Sequence, residues 1–167
     1  MATQTKKVTL GRTGLSVSVA GLGSGGNSRL GIAEYGLQHA AMIVKTAFEN
    51  GVNYFDTATT YQTEVAVGLG LKGIPREQYV LSTKFLYRNP QELFSADELE
   101  QALNESLKAL NTDYIDVYSL HGVMPQDYER SVDIFLPAMQ RAQEQGKYVS
   151  SELLNCSAAR TTATQAI

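Results

Sequence analysis

The sequence predicts an α/β protein whose strands run parallel. Three observations carry that expectation. Short extended runs alternate with stretches of helical period along most of the chain. The connections between successive extended runs are of helical length, as parallel pairing requires. Three of those runs finish on a polar residue, Asp56, Lys84 and His121, and in a parallel sheet all such ends share one rim.

Each element has its own signal. Lys7 to Leu10 and Leu15 to Ala20 read as two short strands around the turn Gly11-Arg12-Thr13-Gly14, a small hairpin. Val19 to Leu22 reads as a strand running into the glycine-rich segment Gly21 to Gly26. Glu34 to Asn50 carries Leu37, Ala40, Ala41, Val44, Ala47 and Phe48 on one helical face, and Gly51 stops it. Val52 to Phe55 is a strand ending in Asp56-Thr57, and Thr63 to Leu71 is a short helix. Tyr79 to Thr83 is the next strand, ending at Lys84. Ser95 followed by Glu98 is a capping box, and Leu99, Ala102, Leu103, Leu107 and Leu110 line the helix behind it. Tyr114 to Leu120 is a strand that runs into His121. Tyr128 to Gln145 is a helix with Pro137 inside it, where a break or kink is expected. A weak strand from Tyr148 to Val149, or as far as Leu154, precedes a Thr/Ala-rich tail. The count is four βα units with a fifth strand begun.

Composition narrows the class. The chain has 167 residues, 43% of them apolar, with 14 basic against 17 acidic side chains. That supports one ordinary domain and argues against disorder. There is no Lys/Arg cluster beyond Lys6-Lys7, so nucleic acid is not an expected partner. One cysteine, Cys156, cannot form an internal disulfide, which favours a reducing, cytoplasmic compartment. The first residues lack an apolar signal core, and no run approaches eighteen apolar residues, so no membrane association is expected. His39 and His121 lie far apart and no paired-cysteine or H-E-x-x-H pattern exists, so no metal site is expected.

The strand-end residues make coherent chemistry. A tyrosine at reference pKa near 10 releases its proton reluctantly at neutral pH. A lysine beside it favours the tyrosinate. With Tyr61 five residues after Asp56, the rim can gather Asp56, Tyr61, Lys84 and His121. Asp56 would hold the lysine, and His121 would donate to a substrate oxygen. What the set lacks is a hydride, which a cofactor supplies. Each residue also has a plain reading: a helix cap for Asp56, a half-buried ring for Tyr61, an ordinary surface lysine for Lys84, a turn partner for His121. Gly21-Leu22-Gly23-Ser24-Gly25-Gly26 matches G-x-G-x-x-G, but no helix opens on it and no acidic residue follows at the required strand end, so it reads as a glycine-rich βα loop.

Taken together, these segments resemble the aldo-keto reductases. The resemblance rests on Leu10-Gly11-Arg12-Thr13-Gly14-Leu15, on Gly21-Leu22-Gly23, and above all on Asn50-Gly51-Val52-Asn53-Tyr54-Phe55-Asp56-Thr57-Ala58 with Tyr61, Glu64 and Gly68. Leu81-Ser82-Thr83-Lys84, Ser106-Leu107-Lys108 and Asp113-Tyr114-Ile115-Asp116-Val117-Tyr118 with His121 complete it, across roughly residues 8–147. It implies a (β/α)8 barrel, of which this chain carries about four to five βα units with an N-terminal hairpin. It also implies reversible, NAD(P)(H)-dependent reduction of an aldehyde, ketone or sugar carbonyl to an alcohol, with NADP(H) ahead of NAD(H). The wording is nearest the sugar-dehydrogenase-like branch that includes L-galactose dehydrogenase. Carried over residue by residue, Tyr61 is the general acid/base, Lys84 tunes it, Asp56 pairs with Lys84 and His121 orients the carbonyl. Gly23, Ser24, Asp56 and Asn155 are the implied cofactor contacts. An ungapped reading puts Asn155 on the family's carboxamide-holding asparagine; a three-residue deletion puts Ser151-Glu152 there instead.

A complete barrel of this kind takes about 250 residues. The expectation is therefore a truncated barrel domain over residues 1–147 and an atypical tail over 148–167. The expected partner is a small-molecule carbonyl or alcohol. The competing reading is a half-barrel that self-associates through exposed sheet edges, or docks on a full-length relative.

Overall fold

A computed structural model of the chain describes residues 5–153. It opens with a hairpin of β1 (Lys7–Thr9) and β2 (Ser16–Ser18), paired antiparallel with Val8 opposite Val17. Then β3 (Leu22–Gly23), β4 (Tyr54–Asp56), β5 (Val80–Leu86), β6 (Ile115–His121) and β7 (Tyr148–Leu153) form one parallel sheet in the order β3-β4-β5-β6-β7. Four helices alternate with them: α1 (Ile32–Glu49), α2 (Glu64–Gly70), α3 (Ala96–Leu110) and α4 (Tyr128–Glu144).

The sheet order decides the architecture. Strand order equals chain order, so the winding never reverses and no doubly-wound switch point exists among the described residues. Right-handed crossovers in one winding direction put every helix on the same side of the sheet. That is the arc of a (β/α)8 barrel, with five consecutive strands and the helices packed outside them. Leu81 and Phe85 of β5, Leu99 and Leu103 of α3, and Phe135 and Met139 of α4 fill the layer between sheet and helices. Among the described residues no helix is long and apolar enough to cross a membrane.

Several elements differ from the sequence expectation, each for a physical reason. Strand β3 starts at Leu22 rather than Val19, because the Val19 amide donates to the Lys6 carbonyl and so extends the hairpin. Strand β5 runs two residues past Lys84, to Leu86, and is paired with β6 from Ser82 to Leu86. Helix α1 begins at Ile32, but Gly36, at φ 81° and ψ 175°, breaks its first turn. Leu37 is thereby left exposed, while Ala40, Ala41 and Val44 carry the buried face. Pro137 does not break α4, which is helical from Tyr128 to Glu144. Its neighbours Phe135, Ala138 and Met139 are buried, and that packing holds the helix through the lost hydrogen bond. The fifth strand is real to Leu153, with Val117 opposite Ser150 and Ser119 opposite Glu152.

Two devices fix the frame below the rim. Ser95 caps α3: its hydroxyl accepts from the Glu98 amide, and the Glu98 carboxylate accepts from the Ser95 amide at 2.7 Å. Asp116, near the start of β6, accepts from the Leu81 amide of β5 at 2.8 Å and is paired with Arg76. The Arg76 guanidinium lies 3.9 Å from the Tyr114 ring centre and also donates to the Tyr79 and Tyr114 carbonyls. This nearly buried ion pair sets the register of β5 on β6. Helix α2 sits low against its neighbours because Gly68 has no side chain: a Cβ there would lie 2.5 Å from the Leu110 carbonyl oxygen.

Candidate functional site

The C-terminal ends of β4, β5 and β6 converge, and the side chains at them meet. Lys84 is almost fully buried, and its ammonium group donates to both carboxylate oxygens of Asp56, at 2.7 and 2.6 Å, and to the Thr57 carbonyl at 2.8 Å. Those three bonds use all three of its protons. Lys84 therefore faces Tyr61 as a fixed cation rather than as a donor, 5.3 Å from the ring centre. Short-range order explains the placement. Register pairing sets Asp56 opposite Ser82, two residues before Lys84, and alternation along β5 returns Lys84 to the same face.

Tyr61 does not start α2. It ends a separate 3₁₀ turn, Thr59–Tyr61, and Gln62 then takes a left-handed conformation at φ 58° before the helix begins. Thr59 anchors the turn by donating from its hydroxyl to the Lys84 carbonyl at 3.2 Å. The Tyr61 and His121 rings meet edge to face, 5.4 Å between centres, with the phenol oxygen 3.4 Å from Nε2. Thr60 Oγ1 lies 3.4 Å from the other ring nitrogen, Nδ1. A hydroxyl donating to Nδ1 leaves the ring proton on Nε2, the atom that faces the phenol. Burial, then the Lys84 cation, hold the His121 pKa below its ordinary value, against an opposing pull from Asp56. Both influences favour the neutral imidazole over the imidazolium. A phenol above a fixed ammonium and beside an imidazole can pass a proton to an oxygen held between the two rings.

The glycine-rich loop borders this cluster. A Cβ at Gly25 would lie 2.7 Å from the Tyr61 ring, so only glycine lets the loop approach so closely. A Cβ at Gly23 would meet nothing within 4 Å, so that side of the loop is open. Ser24 is turned inward. Its amide and hydroxyl both donate to the Asp56 carbonyl, and the hydroxyl also meets Thr63 Oγ1 at 2.7 Å. The whole residue is buried. Of the expected cofactor contacts, Gly23, Ser24 and Asp56 thus adjoin the cluster, and Asn155 lies outside the described residues.

The loop is thus open at Gly23 and packed against the Tyr61 ring at Gly25. The sequence reading missed three further features here. Glu64 lies buried behind the site, where the Thr83 hydroxyl donates to it at 2.7 Å. Tyr87 and Arg88 clasp Asp127, which ties the loop after β5 to the loop that follows His121. Arg76 and Asp116 brace the opposite end of the same strands.

Comparison with known proteins decides the family. The aldo/keto reductase family model matches residues 21–161. The chain belongs to the aldo/keto reductase family. It is 34% identical over 148 residues to an L-galactose dehydrogenase of Arabidopsis thaliana, covering 83% of this chain and 44% of that protein. It is 41% identical over 105 residues to the methylglyoxal reductase DkgB of Escherichia coli O157:H7, covering 62% of this chain and 38% of that one. Among solved structures, an aldo-keto reductase of Bacillus halodurans in holo form superposes with a TM-score of 0.72 at 30% identity, over 92% of this chain and 51% of that one. One of Bombyx mori, solved in complex with NADP, gives 0.69 at 29% identity, over 91% and 51%. The chain thus spans about half the length of the aldo/keto reductases it matches.

Proposed function

We propose that this chain carries the proton-transfer half of an aldo/keto reductase site and acts in the NADP(H)-dependent reduction of an aldehyde, ketone or sugar carbonyl. One observation carries the reading: a phenol, Tyr61, stands between a fully hydrogen-bonded ammonium, Lys84, and an imidazole, His121. Gly23, Ser24 and Asp56 would hold a nicotinamide cofactor, which would supply the hydride. Tyr61 gives its phenol proton to the carbonyl oxygen, and the product is an alcohol. Lys84 stabilises the negative charge left on the phenol oxygen, and Asp56 keeps Lys84 in place. His121 donates from Nε2 to the carbonyl oxygen and sets its direction before transfer. In the alcohol-oxidising direction each role reverses. NADP(H) is favoured over NAD(H) by the Bombyx mori relative solved in complex with NADP. A sugar or small aldehyde is favoured by the L-galactose dehydrogenase and methylglyoxal reductase relatives.

Loss of NADPH absorbance in the presence of methylglyoxal tests this, with Tyr61→Phe as the control. The expected result is turnover that the phenol deletion removes. Equal rates in both proteins would overturn it.

A second reading has one observation behind it. Strands β3 and β7 each pair on one side only among the described residues. Unpaired parallel edges invite a partner, so the chain would self-associate or dock on a full-length relative. Sedimentation over a concentration series tests this, and a monomer at every concentration would refute self-association.

A further inference from the structure

Behind the rim, on the helix side of the sheet, lies a buried carboxyl group that the proposed chemistry does not use. Glu64 opens α2, three residues after Tyr61. Its Oε1 accepts from the Thr83 hydroxyl at 2.7 Å. Thr83 immediately precedes Lys84 on β5, and both residues are buried. One hydrogen bond thus joins the segment bearing the phenol to the strand bearing the ammonium.

Among the described residues, Glu64 has no cation against it. Around it stand Thr83 from β5, Ser106 from α3 and Tyr118 from β6. The Ser106 and Tyr118 hydroxyls have no hydrogen-bond partner in good geometry among the described residues, although both lie near the Glu64 carboxyl. Burial, partly opposed by the Thr83 and Ser106 hydroxyls, raises the Glu64 pKa above its ordinary value. A buried carboxyl without an ion-pair partner is costly. A leucine would fill the same space without that cost, so a polar group here calls for a role other than stability.

The neighbouring residue points to that role. Thr63 Oγ1 meets both Ser24 Oγ, at 2.7 Å, and Thr57 Oγ1, at 3.0 Å. The Thr57 carbonyl is in turn a Lys84 acceptor. Thr63 and Glu64 therefore fasten the end of the Tyr61 turn to β4 and to β5. We propose that Glu64 is a positioning residue: its carboxyl, held to the Thr83 hydroxyl, locks the turn carrying Tyr61 onto the strand carrying Lys84. The inference deepens the proposed reductase site and takes its functional meaning from that reading, but its test does not need turnover.

The chain has two histidines, His39 and His121, so imidazole NMR titration reads the site directly once His39→Gln has assigned the pair. His121 reports the Tyr61–Lys84 arrangement because it touches the phenol and feels the ammonium. Glu64→Gln keeps the oxygen that accepts from Thr83, and is expected to leave the His121 titration within about 0.2 pH units of the unsubstituted chain. Glu64→Ala and Thr83→Val break the bond from either side, and each is expected to raise the His121 pKa by about half a unit or more. Thr83→Val keeps the side-chain shape, so it carries the test if Glu64→Ala fails to fold. An unchanged His121 titration in Thr83→Val would overturn the proposal. So would an equal shift in Glu64→Gln, which would trace the effect to charge rather than position. Absence of NADPH oxidation would count against the reductase reading and leave this result standing.

Discussion

Gly25→Ala isolates the placement of the Tyr61 ring. The added Cβ would lie 2.7, 2.8 and 3.1 Å from three ring carbons. Carbon atoms pack at about 3.5–4.0 Å, so the ring must withdraw by roughly 1 Å. The phenol oxygen now stands 3.4 Å from His121 Nε2, and a displacement of that size removes it from reach. Misplacing a reacting group by about 1 Å costs on the order of 100-fold in rate. Stability should change little, because the atoms met are the far end of the Tyr61 side chain and the unfolded-chain effect offsets the cost of moving it. The Gly25 backbone is not in the left-handed region, and alanine there lowers the entropy of the unfolded chain by about 0.4–1 kcal/mol. The expected signature is a large loss of NADPH oxidation with a thermal midpoint within a few degrees of the parent. The His121 resonances should also shift, since the Tyr61 ring lies edge-on to that imidazole. A crystal structure of the variant with Tyr61 unmoved and the new methyl group accommodated beside it would refute the reasoning.

Other consequences follow from the same geometry. Arg76→Ala leaves Asp116 nearly buried without its cation, and removing one partner of such a pair costs about 3 kcal/mol; urea unfolding should show a lower midpoint at unchanged slope. Glu64→Gln relieves a buried carboxyl whose folded pKa is raised. The stability attached to that group is complete below the unfolded carboxylate pKa and is lost as pH rises through the folded value, so the variant should match the parent near pH 4 and exceed it at pH 8 in thermal melts. His121 is depressed, so its contribution is present above the ordinary histidine value and is lost as pH falls through the lower folded value. NMR titration should place it below the ordinary histidine value, and a titration at or above that value would contradict the burial argument. Tyr87→Phe removes the hydroxyl that donates to Asp127 and accepts from the Met124 amide. Hydrogen exchange at Met124 should quicken, while exchange in the β6 strand interior should not.

The convergence of Asp56, Lys84 and His121 was legible because parallel topology alone brings strand ends together. The Ser95 cap and the core face of α3 were legible because period and capping are local signals. What escaped notice depends on residues distant in sequence. Nothing near Asp116 announces Arg76, forty residues earlier, as its partner. Glu64 entered the sequence reading only as a matched motif letter; its burial arises because α2 lies low over Leu110, which Gly68 permits. Ser24 carries the right chemistry for a ligand contact, yet its hydroxyl closes an internal bond to Asp56. The boundaries of β3 and α1 shifted because a hairpin bond at Val19 and a glycine conformation at Gly36 override hydrophobic pattern.

The central claim is that Tyr61 is the proton donor of a carbonyl reductase site. The most direct measurement is NADPH oxidation at saturating methylglyoxal, comparing the full chain with Tyr61→Phe. A shared fold must be shown first by matching circular dichroism and His39 resonances. The expected result is a fall of about 100-fold or more in kcat with little change in NADPH affinity. Equal kcat in the two folded proteins would contradict it.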